Sequence, residues 1–409
     1  MKSKSSILLM AASICAGIVN VAIVGLLSKF WGIEAVGVLS VVLSGSNIML
    51  PLFTLKLEYG IAQAPSNDIA KNLRRVGFLT SILGVAIIFL LALCISHFEF
   101  EISSFSDYAT VIAIVALSSS SSALLEASLA REGFFAQVAL VKVMMAITKG
   151  LGFLSILVLG DSIAVQHAYG ASAVATTFSL FIVLLLTEKS SPISSIKNGV
   201  KALLEHKQLI YSIPTTTFIN AIAANIMPIV LSASFGTGTA GIFFCLKQFI
   251  GQPATIVTQS IWKVRYRELA LLSTYVSRVQ MLLRSMNKYF TISLASFVVL
   301  NSFWIVLTGL GVVPEIAWGV VAAFVAMVIV TSLSNIVSYW YLFNRLYGET
   351  VANLLVFLLK VGFALALPLV FSDPEIVIII YCLVAIVIYS LILFSWRKYF
   401  VETLKANGT

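Results

Sequence analysis

The chain has 409 residues, of which 60% are hydrophobic and 11% charged, with a formal net charge of +9. Its mean hydropathy of +1.04, spread over repeated apolar stretches of about 20 residues, excludes a soluble domain and predicts an all-α polytopic membrane protein. The positive balance would also fit a nucleic-acid binder, but the places where the charges fall assign them to membrane topology instead.

Lys2 and Lys4 precede an apolar run from Ile7 to about Ser28. The run is longer than a signal-peptide core and has no small-x-small cleavage site after it, so it reads as a retained first helix. Further spans are predicted at 35–57, 76–96, 108–130, 136–159, 168–187, 210–234, 242–262, 289–311, 317–340, 351–371 and 376–395. With 7–29 this makes about twelve helices, both chain ends on one side.

A cytoplasmic N-terminus places most of the lysines and arginines inside, among them Lys71, Arg74, Arg75, Arg131, Lys197, Lys201, Arg265, Arg278, Arg284, Arg397 and Lys398. The outer loops hold Glu34, Glu99, Glu101, Asp107, Asp161, Glu315, Asp373 and Glu375, with Lys29 alone at that edge. This bias predicts cytoplasmic termini. Trp31, Trp262, Trp318, Trp340 and Trp396 fall at span ends, as an interfacial belt requires, while Trp304 lies inside the ninth span. Cys15, Cys94, Cys245 and Cys382 each sit alone in apolar runs, with no ligand spacing for a metal and no disulfide framework.

The outer loops are short, and the two long cytoplasmic connections are 188–209 and 263–288. The second is predicted as a basic amphipathic surface helix on anionic lipid, with Leu269, Leu272, Val276, Val279 and Leu283 recurring every three or four residues. Gly32 and Gly37, in FWGIEAVG, are echoed by Gly236 and Gly241, in SFGTGTAG, and each pair is followed by a proline in the next span, Pro51 and Pro253. The echo lies almost half the chain away, which predicts two pseudo-symmetric six-helix lobes around a central cavity, 1–208 (with its linker from 188) and 209–409.

Charges inside the spans carry the functional signal. Lys142 and Lys149 are seven residues apart on one predicted helix, so they share a face roughly 10 Å apart along the axis. A lipid-facing lysine near the bilayer centre costs ~3 kcal/mol, so that face should meet protein or water. Lys56, Lys247 and Lys360 are the other lysines within spans, and Glu126 is the one acid. Lys56 and Lys142 have a second reading as snorkelling residues, and Lys247 lies near enough to the outer end of its helix to share it. Lys149 and Lys360, near the middle of their helices, reach neither surface and are expected to line an aqueous cavity. Glu126 stands close to Arg131 near the cytoplasmic edge, where a local ion pair competes with a proton-coupling role. The run Ser118 to Ser122, with Thr215 to Thr217, Asn220 and Asn225, reads either as close helix packing or as a polar wall for a sugar. A cationic cavity short of partners suits an anionic ligand, and lysine binds phosphate as a flexible point charge.

The stretch 225–266, NIMPIVLSASFGTGTAGIFFCLKQFIGQPATIVTQSIWKVRY, resembles a recurring segment of bacterial oligosaccharide flippases. These are the O-antigen and polysaccharide-repeat exporters of the Wzx type, in the multidrug/oligosaccharidyl-lipid/polysaccharide superfamily. The matching features are Pro228, Leu231, Ser232, Phe235, Gly236, Gly241, Lys247, Gly251 and Pro253. The basic residue falls one place earlier than in that pattern, where Gln248 stands instead. TLKLEYGIAQAPSNDIAKNLRR, from Thr54 onward, resembles the basic-x-Glu signature at the end of the second helix, with Lys56 and Glu58 in those positions.

The resemblance implies a flippase, not an enzyme. It would move undecaprenyl-diphosphate-linked oligosaccharide from the cytoplasmic to the periplasmic leaflet of the bacterial inner membrane by alternating access. Lys149, Lys360, Lys142, Lys247 and Lys56 would then bind the diphosphate, and Glu126 and Glu58 are the candidates for ion coupling or gating. No cofactor is implied beyond a coupling proton or sodium ion, and the partners would be the lipid-linked oligosaccharide, membrane lipid and other polysaccharide-assembly proteins. The alternatives are an ion-coupled drug or small-solute antiporter of the same superfamily, and a polyprenol-dependent glycosyltransferase or polymerase. Exporters of cations need acidic cavities, and such enzymes need catalytic groups on larger outer loops than these.

Overall fold

The structure, a computed structural model, describes residues 2–64, 66–97, 103–159, 164–187, 207–254, 275–344 and 347–406. The expected linker lies outside them from 188 to 206, and so do Trp262, Leu269 and Leu272 of the second connection. Among the described residues twelve α-helices follow in order. They are α1 Lys2–Thr54, α2 Leu57–Gln63, α3 Asn67–His97, α4 Ser103–Arg131, α5 Phe135–Leu159, α6 Ala164–Thr187, α7 Lys207–Phe235, α8 Thr237–Leu246, α9 Tyr275–Gly309, α10 Trp318–Asn344, α11 Tyr347–Val370 and α12 Pro374–Ala406. The predicted spans fall on these elements, save that 242–262 leaves the described residues after 254, and the chain is a multi-pass membrane protein. Among the described residues six helices are long and apolar enough to cross a membrane outright, with shorter apolar stretches at Ser296–Gly309, Trp318–Ser334 and Leu354–Val370.

The two predicted first spans are one helical stretch turned at Gly32, whose φ of 81° and ψ of 174° break α1. Gly236, between α7 and α8, has φ 88° and ψ 167°. Only glycine occupies this region readily. The two glycines echoed in the sequence therefore make the same turn.

The chain forms two compact units. Unit 1 comprises Met1–Ile23 and Gly37–Ile229, and unit 2 comprises Val24–Val36 and Val230–Thr409.

In unit 1, α4 is the central helix, packed on α3, α6, α2 and α5. Its neighbours approach through glycine: a Cβ on Gly45 would lie 2.8 Å from Ile112, and one on Gly77 2.7 Å from Leu124. Ser118, Ser120, Ser121 and Ser122 are all buried. Ser120 and Ser122 donate to the carbonyls of Leu117 and Ser119. For these serines the structure shows packing inside unit 1.

The second span ends at Thr54, earlier than expected. Leu55 and Lys56 both take left-handed backbone angles, φ 46° and 54°, at roughly 1–2 kcal/mol each for non-glycine residues. The turn is held from both sides. Lys56 N–H donates to Thr54 Oγ1 at 3.1 Å, and the Phe53 carbonyl, at a helix end that lacks backbone donors, accepts from Thr80 Oγ1 at 2.8 Å and Ser81 Oγ at 3.2 Å. Below it α2 buries Leu57 and Ile61 against Leu73, Val76 and Leu124. Replacing Thr80→Val and Ser81→Ala together is expected to lower stability by about 1–3 kcal/mol by stranding that carbonyl. Thermal melting of the purified chain measures it, and an unshifted midpoint would show that the carbonyl has another donor.

In unit 2, α10 and α12 form the most extensive pair, with α9 on both and α11 on α12. Residues 275–288, expected to belong to a separate surface helix, are the first turns of α9, a single helix of 35 residues and ~52 Å. Val279, Leu282 and Met286 cluster there with Leu333 of α10 and Phe400 of α12, and Trp396 and Leu404 pack on them. Val279 and Leu283 of the apolar stripe thus pack inside unit 2 itself.

Candidate functional site

The structure separates the five lysines by what each one meets. Lys56 Nζ lies 3.0 Å from Glu58 Oε1, across the left-handed turn, with both side chains mostly buried. Glu58 Oε2 is buried and has no hydrogen-bond partner among the described residues. Lys142 Nζ lies 3.5 Å from Glu126 Oε2, each side chain about a quarter exposed at 24% and 26%. This pair joins α5 to α4, so the partner shown for Glu126 is on a neighbouring helix. Arg131, expected to pair with Glu126, is five residues on and roughly 140° round the helix, and its Nη1 donates to the Ile61 carbonyl of α2 at 3.3 Å.

Arg74, in contrast, is expected from the sequence to mark topology only. Arg74 is buried, 5% exposed, and donates from Nη1 to Ser128 Oγ at 2.8 Å. Arg131 and Arg74 thus share the last turns of α4 with Glu126 and Lys142. An arginine at a predicted loop edge carries no sequence sign that it will be drawn inward.

Lys149 differs. It is half-buried, fourteen residues into the 25-residue α5, and among the described residues nothing pairs with its ammonium. Its neighbour Gly150 faces the first stretch of α1, where a Cβ would lie 3.5 Å from Val19. The side chain of Asn225, one of the polar residues expected to face a sugar, turns back to the Ala221 carbonyl at 2.8 Å.

In unit 2, Lys360 is buried, 8% exposed. Its Nζ is 5.8 Å from the Tyr381 ring centroid and 5.5 Å from that of Tyr389. Lys247 stands within electrostatic range of Lys360. It opens a π turn, Lys247–Gly251, in which the Gln252 N–H bonds back to the Lys247 carbonyl. Pro253, next in the chain, lacks the N–H that an unbroken α-helix would use. Gln248, within the turn, is buried with Oε1 unpartnered among the described residues.

No family model matches this sequence, and no curated protein matches it by sequence. Among solved structures the chain is similar to the lipid II flippase MurJ in its inward closed conformation. That likeness has a TM-score of 0.67 at 16% identity and covers 97% of this chain and 90% of MurJ. It is also similar to the MATE multidrug transporter DinF-BH, solved as a complex, with a TM-score of 0.64 at 15% identity over 98% of this chain and 96% of the transporter. A MATE structure in complex with Br-NRF matches at 0.52 and 18% identity, covering 98% and 96%. At these identities the likeness shows the fold, that of polytopic transporters and flippases.

Proposed function

We propose that this protein is a flippase that carries undecaprenyl-diphosphate-linked oligosaccharide, an O-antigen or related repeat unit, from the cytoplasmic to the periplasmic leaflet by alternating access. The observation that carries the reading is Lys149, a half-buried ammonium deep in a membrane helix with no partner among the described residues. A charge held there at a cost of ~3 kcal/mol needs an anion to justify it, and a diphosphate supplies one. Lys142 and Lys56, each shared with a carboxylate, would exchange that carboxylate for substrate oxygen and so assign Glu126 and Glu58 to coupling or gating.

The likeness to MATE transporters favours a second reading, ion-coupled export of a small solute. Against it, the carboxylates Glu126 and Glu58 are both neutralised by lysine, which leaves cationic drugs a poor counter-charge.

Expression in a flippase-deficient bacterial strain tests the two. The expected result is restored surface polysaccharide and loss of accumulated lipid-linked precursor. Unrestored polysaccharide together with lowered accumulation of a cationic dye would favour the antiporter.

A further inference from the structure

Unit 2 holds a buried ammonium, Lys360, for which the membrane stretches after residue 209 supply no carboxylate. The segments 210–254, 289–311, 317–340, 351–371 and 376–395 contain no aspartate or glutamate. Lys360 is ten residues from the end of α11 at Val370, ~15 Å along the axis, which is beyond the reach of a lysine arm. Its charge is met instead by two tyrosines, Tyr381 and Tyr389, through their hydroxyls and their rings. Tyr381 and Tyr389 are two turns apart on α12, a rise of ~12 Å between their Cα atoms. The ammonium lies between them, 5.8 and 5.5 Å from the centroids, inside the distance at which the ring quadrupole attracts a cation. Tyr381 is itself buried and braced edge-on by Phe243 at 6.3 Å, which in turn meets Phe324 at 5.5 Å. The Tyr381 ring is therefore set before any ligand arrives.

Tyrosine faces around an ammonium are also the chemistry by which proteins recognise alkylammonium ligands. We infer that Lys360, Tyr381 and Tyr389 form an organic-cation site occupied by the chain's own lysine, so that Lys360 acts as a specificity residue that denies the site to cationic solutes. Lys247, within electrostatic range, opposes entry of any second cation. The inference is independent of the lipid-linked substrate, and binding reads it without transport.

The purified full-length protein, wild type and Lys360→Ala, is melted with increasing n-butylammonium, and with 1-butanol as the neutral control. Lys360→Ala removes a four-carbon amine, and n-butylammonium is its free equivalent. The variant is expected to melt lower than wild type and to recover by a few degrees, saturably, with n-butylammonium alone. Wild type and Lys360→Arg should not respond, and adding Tyr389→Leu to Lys360→Ala should cancel the recovery. The inference is overturned by no recovery, by equal recovery with butanol, by an equal response of wild type, or by a response that survives the loss of Tyr389. Should Lys360→Ala fail to accumulate, n-butylammonium in the growth medium is expected to restore folded protein, and failure to restore it overturns the inference too.

Discussion

Lys149→Ala is expected to reduce export of lipid-linked oligosaccharide about 10- to 100-fold at unchanged protein level, the loss that follows from deleting one charge-assisted contact of about 1.5–3 kcal/mol. Lys149→Arg should keep most of the activity, because the charge remains although its geometry changes. Surface polysaccharide and accumulated precursor, scored in a flippase-deficient strain, provide the measurement. The expectation is specific to this lysine. Lys142→Ala also uncovers Glu126, so its effect mixes substrate binding with the stability of unit 1. Lys149 has no such partner among the described residues, and its removal leaves no stranded carboxylate there. Full export by Lys149→Ala would remove the observation on which the proposed substrate rests.

The second large effect is structural. Gly32→Ala and Gly236→Ala are each expected to destabilise the protein by about 1–3 kcal/mol, since both force a Cβ into backbone angles of the region that glycine alone occupies readily. No side chain crowds either position, with nothing within 4 Å of an added Cβ, so the whole cost is in the backbone. Similar losses of melting temperature at the two sites would match their near-identical angles. A tolerated alanine at one site only would show that the two turns are equivalent in sequence but not in strain.

Much of the fold was legible because lipid imposes a simple rule: every span needs about 20 apolar residues, and this chain separates them with charged loops. The glycine echo was legible because a left-handed turn leaves few choices of residue. Other features had no such signal. Leu55 and Lys56 adopt left-handed angles although neither residue advertises them, and their support from Thr80 and Ser81 comes from another helix. The continuity of α9 was hidden because a change from amphipathic to apolar pattern marks where the bilayer begins, not where the backbone turns. At the site, the intramembrane lysines were legible as costly charges, but their separate fates were not. The Lys142–Glu126 pair is made across helices, and the partners of Lys360 are uncharged tyrosines, which no count of acids and bases would find.

The π turn at Lys247–Gly251 bears on ancestry. A turn closed by i→i+5 bonds takes in one residue more than an α-helical turn while the helix resumes on either side, so it is the form in which a helix absorbs a single inserted codon. In the flippase pattern that the sequence resembles, the basic residue stands one place nearer the glycine than Lys247 does, and under the proposed function the π turn would account for that one place. Gln248 would then be the added residue and Lys247 the true counterpart of the basic position, which an alignment without a gap inside this helix would miss.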